Sequence, residues 1–226
     1  MSHSCSAGLY DGVQASMKYN FLIDTYATER VKVVSVWSMF RDEDLPVRPS
    51  APLNPSDARG RSVHEQMVHQ CVSEDFWFRT ILGIDVNAPP LPARETRWEF
   101  MARYAEDSAK RLAVLNTAAE PWWEEVVSFF NVRRSRAWVM TRRMTHTAQH
   151  RGQLLAMLRM LGHDLHSTYG PTADTGGLMQ NHAPTIYAYP TLEALLHAEA
   201  NAGAEPNGGK KSALPPRPDQ PLTERP

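Results

Sequence analysis

Residues Thr145 to Gln153 read Thr-His-Thr-Ala-Gln-His-Arg-Gly-Gln, and the apolar run Leu154 to Leu161 follows them directly. The two histidines, His146 and His150, are four residues apart, so on a helix they lie one above the other on the same face. This spacing allows both imidazoles to reach one metal ion, and imidazole is a ligand for zinc, nickel, copper and iron.

The histidine pair lies in line with apolar residues. Counting 3.6 residues per turn places the pair in one stripe with Val139, Leu154, Met157 and Leu161. The sequence therefore predicts imidazoles that point into the protein and away from water. Buried imidazole nitrogens without a partner would each cost roughly 1–3 kcal/mol, and a shared metal ion would remove that cost.

Two alternatives fit the same spacing. A histidine pair at this separation is also common on a solvated helix face, and a buried histidine is often satisfied by a hydrogen bond. The pair alone therefore does not establish a metal site. A zinc site with an open coordination position usually takes three protein ligands, so a third ligand would come from elsewhere in the chain.

Length and composition predict one soluble, cytoplasmic domain. The 226 residues suit a domain of about 150–200 residues with a tail. The net charge of −1, without a long run of like charges, gives no reason to expect a nucleic-acid partner. Cys5 and Cys71 form neither a CxxC motif nor a disulfide framework. The sequence has no membrane-spanning apolar stretch and no signal-peptide core, so we expect no membrane partner.

Apolar residues recur at helical spacing in four long segments, at about residues 13–40, 62–82, 94–116 and 135–161. Ser62 and Glu65 form a capping-box pattern that begins the second segment, and Gly83 and Gly162 are expected to end the second and fourth. Gly152 weakens the fourth helix, so we expect another helix to approach closely there. Residues 124–132 fit either a short strand or an irregular connector.

Prolines at 46, 49, 52 and 55 predict a loop over residues 45–60. The chain beyond Gly162 is loop-like, with one short helix at Thr191 to Ala200, and from Asn201 onward its composition predicts disorder. The sequence thus predicts a single domain at 1–200, made of a core at 13–162 and an extension at 163–200. A disordered tail at 201–226 is expected to follow it.

The two longest irregular segments, 45–60 and 163–190, are expected to cover an open metal position. Within the second segment, Tyr169, His182 and Tyr187 are the side chains able to contact a bound substrate. The alternative is that all three are ordinary surface residues, because nothing in their spacing fixes their position.

Other candidate residues have structural explanations. His64 is expected to be solvated, and Cys71 to be a small buried apolar residue. The basic residues of Arg133 to Arg136 are expected to form a solvated helix entrance, although they could also hold an anion. Gln149 and Gln153 could orient a water molecule or substrate, or form plain hydrogen bonds on the helix surface.

The pattern of helices and histidines resembles the DinB-like family of metal-dependent four-helix proteins. The resemblance rests on His69 in VHEQMVHQCVSEDFWF and on His146 and His150 in RRMTHTAQHRGQLLAMLRMLG, and it covers roughly residues 14–162. Its most specific part is the stretch HRGQxxxxLRxxG. The resemblance implies that these three histidines bind one divalent metal ion, commonly zinc or nickel.

The resemblance also implies a fold and a function. The fold is all-α, a four-helix up-down bundle with a long crossover connection, here with a loop-rich C-terminal extension, and we expect a homodimer. Characterised relatives include S-transferases that use low-molecular-weight thiols, and a maleylpyruvate isomerase. We therefore expect a small-molecule substrate, a thiol as partner and a thiol-dependent transfer reaction. A metal-dependent hydrolase or isomerase, and a non-catalytic metal-binding stress-response protein, remain as alternatives.

Overall fold

Helices make up most of the structure, as the apolar periodicity predicts. The computed structural model describes residues 18–49, 60–202 and 211–215. Within these ranges the elements are α1 (Asn20–Ser38), α2 (Val63–Phe76), α3 (Arg97–Leu115), α4 (Glu120–Glu124), β1 (Val126–Phe129), β2 (Val132–Ser135), α5 (Arg136–Met160) and α6 (Leu192–Ala200). The fold is mainly α, and the predicted all-α class omits the β-hairpin formed by β1 and β2. The predicted start of the first helix, at residues 13–17, lies outside the described residues.

The signals for helix ends are confirmed. At the start of α2, the Ser62 hydroxyl accepts a hydrogen bond from the Glu65 amide at 3.2 Å, and the Glu65 carboxylate accepts one from the Ser62 amide at 2.9 Å. α2 continues into a π-helical turn, Trp77–Leu82, and ends at Gly83 with φ 74°. α5 ends just before Gly162, with φ 73°. Both glycines adopt the left-handed conformation that commonly closes a helix.

The connector at residues 124–132 contains a β-hairpin. β1 and β2 pair antiparallel, with Val126 opposite Ser135 and Phe129 opposite Val132. Phe130 occupies the turn with φ 52°, a conformation in which glycine is far more common than a bulky residue. The hairpin therefore presents an aromatic ring at its tip.

Apolar side chains of the four long helices form the core. α1 contacts α3 and α5, α2 contacts the same two helices, and α6 covers α1 and α3. The buried residues fall into two clusters, one around Trp37 and Phe100 and the other around Phe78 and Trp123. Among the described helices, none has the length and apolar character needed to cross a membrane.

A buried carboxylate lies where the two apolar clusters meet. Glu74 of α2 accepts hydrogen bonds from Tyr26 of one cluster at 2.7 Å and from Tyr104 of the other at 2.8 Å. The guanidinium groups of Arg111 and Arg143 lie 3.4 and 3.6 Å from its oxygens. All five residues are buried. This ion-paired centre joins α1, α2, α3 and α5 at one point.

The extension and part of the expected tail pack on the helices. α6 begins at Thr191, whose hydroxyl accepts a hydrogen bond from the Ala194 amide as predicted. Lys211 donates to the Ser38 carbonyl at the end of α1, at 2.6 Å, and the Ser212 amide donates to the Ala188 carbonyl at 3.0 Å. Residues 211–215 are therefore docked where disorder was expected. The rest of that expectation, at 203–210 and 216–226, lies outside the described residues.

The expectation of a close helix contact at Gly152 is wrong. Gly152 is exposed in the middle of α5, and a Cβ atom added there would meet nothing within 4 Å. We predict that Gly152→Ala raises the free energy of unfolding by about 0.5–1 kcal/mol, because alanine has the higher helix propensity. Urea denaturation followed by circular dichroism measures this change.

Gly83→Ala is the matched control for Gly152→Ala. It also has open space around its added Cβ, but its φ of +74° is unfavourable for alanine. The same substitution should therefore destabilise the protein there by about 1 kcal/mol or more. A shift of the same sign in both variants would contradict this account.

We predict that Glu74→Gln destabilises the protein strongly. The substitution leaves Arg143 buried without its carboxylate partner and leaves Arg111 with Asp75 alone, at 3.5 Å, and breaking a buried ion pair in this way costs about 3–5 kcal/mol. The control is Glu106→Gln, which removes an exposed ion pair with Lys110 and should change stability by less than about 1 kcal/mol. Equal unfolding midpoints in urea for the two variants would contradict a structural role for the buried carboxylate.

Candidate metal centre

Three histidines from two packed helices converge on one point. His69 lies in the middle of α2, and His146 and His150 lie one turn apart in α5. The Nε2 atom of His146 is 3.4 Å from that of His69 and 3.2 Å from that of His150. One ligand atom from each of the three lies within 4.8 Å of the others. The structure thus brings together the predicted residues.

These distances fit a shared metal ion. Two imidazole nitrogens bound to a tetrahedral zinc at 2.0–2.1 Å lie about 3.3–3.4 Å from each other. The two measured separations, 3.4 and 3.2 Å, are close to that value. The three side chains can therefore hold one divalent ion without a large movement of either helix.

Hydrogen bonding fixes how His150 faces this point. The side-chain amide group of Gln66 donates to the side-chain oxygen Oε1 of Gln153 at 2.8 Å, so its own oxygen is left to accept. That oxygen lies 2.8 Å from Nδ1 of His150. The proton of His150 therefore resides on Nδ1, and the lone pair of Nε2 points at the centre. An outer hydrogen bond of this kind orients metal-bound histidines.

Protons alone cannot satisfy the three converging nitrogens. His146 Nε2 faces two nitrogen atoms, yet one N–H group on His146 can donate well to only one of them. Without a cation, at least one of the two close Nε2–Nε2 contacts would therefore lack a hydrogen bond. A divalent cation accepts all three lone pairs, so the donor set fits a metal ion.

The local electrostatics keep the histidines in their metal-binding form. Burial, together with the nearby charges of Arg61 and Arg143, lowers the pKa of His69 to about 4. Burial and Arg143 lower the pKa of His146 to about 3. Burial also lowers the pKa of His150. All three imidazoles are therefore neutral near pH 7, as metal ligation requires.

The centre is closed on one side and open on another. His150 is only 4% exposed, whereas His69 and His146 are partly exposed. The prediction that both histidines of α5 point fully inward is therefore correct for His150 only. The partial exposure of His69 and His146 suits an exchangeable coordination position.

A buried arginine ties the two ligand-bearing helices together. Arg143 donates to the Ser73 hydroxyl of α2 at 2.9 Å and to the Thr147 hydroxyl of α5 at 3.0 Å. Ser73 lies one turn after His69, and Thr147 lies next to His146. Arg143 therefore holds the two helices in register beside the histidines.

A cleft of about 600 Å³ adjoins Gln66 and Gln153, the hydrogen-bonded pair next to His150. Gln66 and Gln153 form part of its wall, and the remaining lining residues are Pro49, Gly60, Arg61, Ala156, Met157 and Met160. Pro49 and Gly60, at the described ends of the 45–60 loop, thus line this cleft, and a cover over the open metal position stays a prediction. Its middle, residues 50–59, lies outside the described residues.

Other predicted residues lie away from the three histidines. His64 is half-buried and pairs with Glu95 at 2.5 Å, so the prediction that it is simply solvated is only partly correct. Cys71 is buried, which raises the pKa of its thiol, as expected for an inert apolar residue. The side chains of Arg133 and Arg134 are exposed in β2, whereas that of Arg136, which begins α5, is mostly buried and pairs with Glu125 at 2.5 Å. The prediction of a solvated helix entrance is therefore correct for Arg133 and Arg134 only.

The side chains proposed from the extension contact other parts of the molecule. Tyr169 donates to Glu29 of α1 at 3.1 Å, and the ammonium group of Lys32 lies 3.7 Å from its ring centre. Tyr187 lines a groove along α1, and His182 is exposed. Tyr169 and Tyr187 thus pack along α1, which is a structural role for this segment.

Sequence reasoning missed Gln66 and Trp77 as neighbours of the site. Gln66 lies three residues before His69, a spacing that indicates a shared helix face but not a bond to α5. Trp77 stacks on His146 with ring centres 5.7 Å apart and ring planes at 25°. Its position depends on the π-helical turn, for which the sequence carries no clear signal.

The geometry defines a mainly helical protein able to hold one metal ion between two helices through three histidines. The model of the DinB family matches residues 22–182, and the chain belongs to this family. The fold is similar to that of a DinB-like protein from Bacillus cereus, with a TM-score of 0.57, 12% identity and coverage of 66% of this chain and 97% of that one.

A second DinB-like protein, from Bacillus subtilis, is similar with a TM-score of 0.50 and 18% identity, over 64% of this chain and 93% of that one. No curated protein matches the chain. The two structures support the fold, and they leave about a third of this chain outside the shared part.

We predict that Gln66→Leu weakens metal binding about 10–100-fold, because His150 loses the acceptor that orients it. Competition against a chromophoric chelator measures the dissociation constant. The control is Gln149→Leu, which changes an exposed glutamine of α5 and should leave the affinity unchanged. Unaltered affinity in Gln66→Leu, with an unaltered circular-dichroism spectrum, would contradict the assigned role.

Proposed function

We propose that this protein is a thiol-dependent S-transferase-like metalloenzyme. In this proposal His69, His146 and His150 hold one divalent ion, zinc or nickel, and a low-molecular-weight thiol occupies the open position. The observation that carries the proposal is the convergence of three neutral imidazoles, two of which belong to partly exposed residues. Such a set supplies three ligands and leaves room for a fourth.

The charge of the ligand set favours an anionic partner. Three neutral imidazoles leave the two positive charges of the ion uncompensated, and Arg61 and Arg143 add positive potential at the histidines. A bound ion of this kind lowers the pKa of a thiol or water that it binds and polarises a carbonyl group. The thiol would thus be present as thiolate, its nucleophilic form, at neutral pH.

The residues around the histidines have defined tasks in this proposal. Gln66 holds the proton of His150 on Nδ1, so that Nε2 stays available as a ligand. Arg143 keeps α2 and α5 in register through Ser73 and Thr147. Burial of His150 excludes water from the inner side of the centre, so that exchange occurs on the side of His69 and His146.

The family resemblance supports further proposals about architecture. We propose that α1, α2, α3 and α5 form the four-helix up-down bundle with a long crossover, which agrees with the contacts of α1 and α2 to both α3 and α5. A homodimer and a cytoplasmic location are proposed on the same ground. Sedimentation velocity tests the oligomeric state.

Two other functions use the same centre. A hydrolase or isomerase would place water or a substrate oxygen, rather than a thiol, at the open position. In a non-catalytic stress-response protein the metal ion would support folding, and such structural sites are commonly closed by four protein ligands. The partial exposure of His69 and His146 favours an exchangeable position over a closed one.

Metal analysis tests the ligand set. We expect about one equivalent of divalent metal by mass spectrometry, and its near-complete loss in His69→Ala, His146→Ala and His150→Ala. His64→Ala and His163→Ala are the matched controls, since these side chains pair with Glu95 and Asp44 away from the centre. Full metal retention in any of the first three variants would remove that residue from the site.

Chelation and thiol titration then separate the candidate functions. The two apolar clusters contain none of the three histidines, so the helical circular-dichroism signal should survive chelation. Titration of cobalt-loaded protein with small thiols should produce a thiolate-to-metal absorption band. Loss of helicity on chelation would favour the structural metal protein, and the absence of a band would argue against the thiol-dependent enzyme.

A further inference from the structure

A continuous set of aromatic side chains lies beside the histidines. It comprises Phe76 and Trp77 at the end of α2 and its π-helical turn, Phe129 and Phe130 of the hairpin, and Trp138 of α5, and is called the aromatic wall below. Phe130 stacks on Phe76 at 6.1 Å, and Phe129 meets Trp77 at 4.9 Å and Trp138 at 5.2 Å. The hairpin therefore bridges α2 and α5.

The aromatic wall is in direct contact with the metal centre. Trp77 stacks on the ring of His146 and also meets Phe129 and Phe130. On α2, Phe76 follows His69 by seven residues, which places the two side chains on the same face about two turns apart. The wall thus contacts His146 through Trp77 and continues on the face of α2 that carries His69.

Its outer part is exposed apolar surface. Phe130 is 63% exposed, and Phe76 and Trp138 are each 39% exposed. Val72, which lies between His69 and Phe76 on the same face of α2, is also exposed. Exposed apolar residues that are contiguous, rather than scattered, commonly mark a binding surface.

The position of the aromatic wall beside the histidines indicates which molecule it binds. We infer that the aromatic wall binds an apolar group, aromatic or alkyl, of the molecule whose thiol occupies the open metal position. The inference rests on the proposed function and adds a substrate class to it. A ligand anchored beside His69 and His146 would lay its carbon skeleton over Phe76 and Phe130, where ring faces exclude water.

The wall should therefore discriminate between thiols by their apolar part. Benzyl mercaptan carries a ring that can stack on Phe76 or Phe130, whereas 2-mercaptoethanol carries only a short polar group. The experiment titrates both thiols into cobalt-loaded protein and follows the thiolate-to-metal absorption. The ratio of the two dissociation constants measures the contribution of the wall and cancels differences in metal loading.

Two variants remove exposed rings of the wall. Phe130→Asn introduces asparagine, which tolerates the left-handed conformation of this turn position. Phe76→Asn changes an exposed position of α2. The control is Phe21→Asn, which removes a ring that is 61% exposed on α1. We expect benzyl mercaptan to bind about three- to tenfold more weakly to each wall variant, with 2-mercaptoethanol and the control unchanged.

Each other outcome has a defined meaning. An unchanged ratio in both wall variants, with both thiols binding, overturns the role of the wall and leaves the proposed function standing. Binding of neither thiol to the loaded wild-type protein overturns the proposed function and this inference with it. Conversion of a dimer into a monomer by Phe130→Asn, with an unchanged ratio, also overturns the inference and assigns the wall to contact with a second copy.

Discussion

The buried carboxylate of Glu74 is the polar centre at which side chains of α1, α2, α3 and α5 meet. Two tyrosine hydroxyls and two guanidinium groups surround it, and removing the carboxylate would leave Arg143 without its buried ion-pair partner. One of the two guanidinium groups belongs to Arg143, which also bonds to α2 and α5 next to the histidines. The metal centre is therefore attached to the ion-paired core and is not an isolated surface feature.

This arrangement explains why three imidazoles stay neutral and aligned at the edge of the core. Arg143 is held in place by Glu74, and its positive charge helps to lower the pKa of His69 and His146. The side-chain oxygen of Gln66 accepts the hydrogen bond that keeps the proton of His150 on Nδ1. Arg143 and Gln66, which are not among the three histidines, thus control the protonation of the imidazoles, the register of α2 on α5 and the tautomer of His150. Side chains outside the ligand set usually have this role in metal sites.

Local patterns in the sequence predict the helices and the shared face of His146 and His150 well. The spacing of His146 and His150, the capping box at Ser62 and the closing glycines all depend on residues within a few positions of one another. The missed features depend on contacts between distant residues. Gln66 meets His150 only because α2 packs on α5, and the ring of Phe130 reaches Phe76 only through the hairpin register and the π-helical turn. The prediction of a close helix contact at Gly152 is wrong because a glycine within a helix does not require another helix beside it.

The docked segment at residues 211–215 has a mechanical consequence. Lys211 bonds to the carbonyl at the end of α1, and Ser212 bonds to the extension at Ala188, so the chain returns to the helices after α6. A pulling force applied at the C-terminal end would first load these few bonds, then α6 and the extension. The segment thus cross-links the extension to the end of α1.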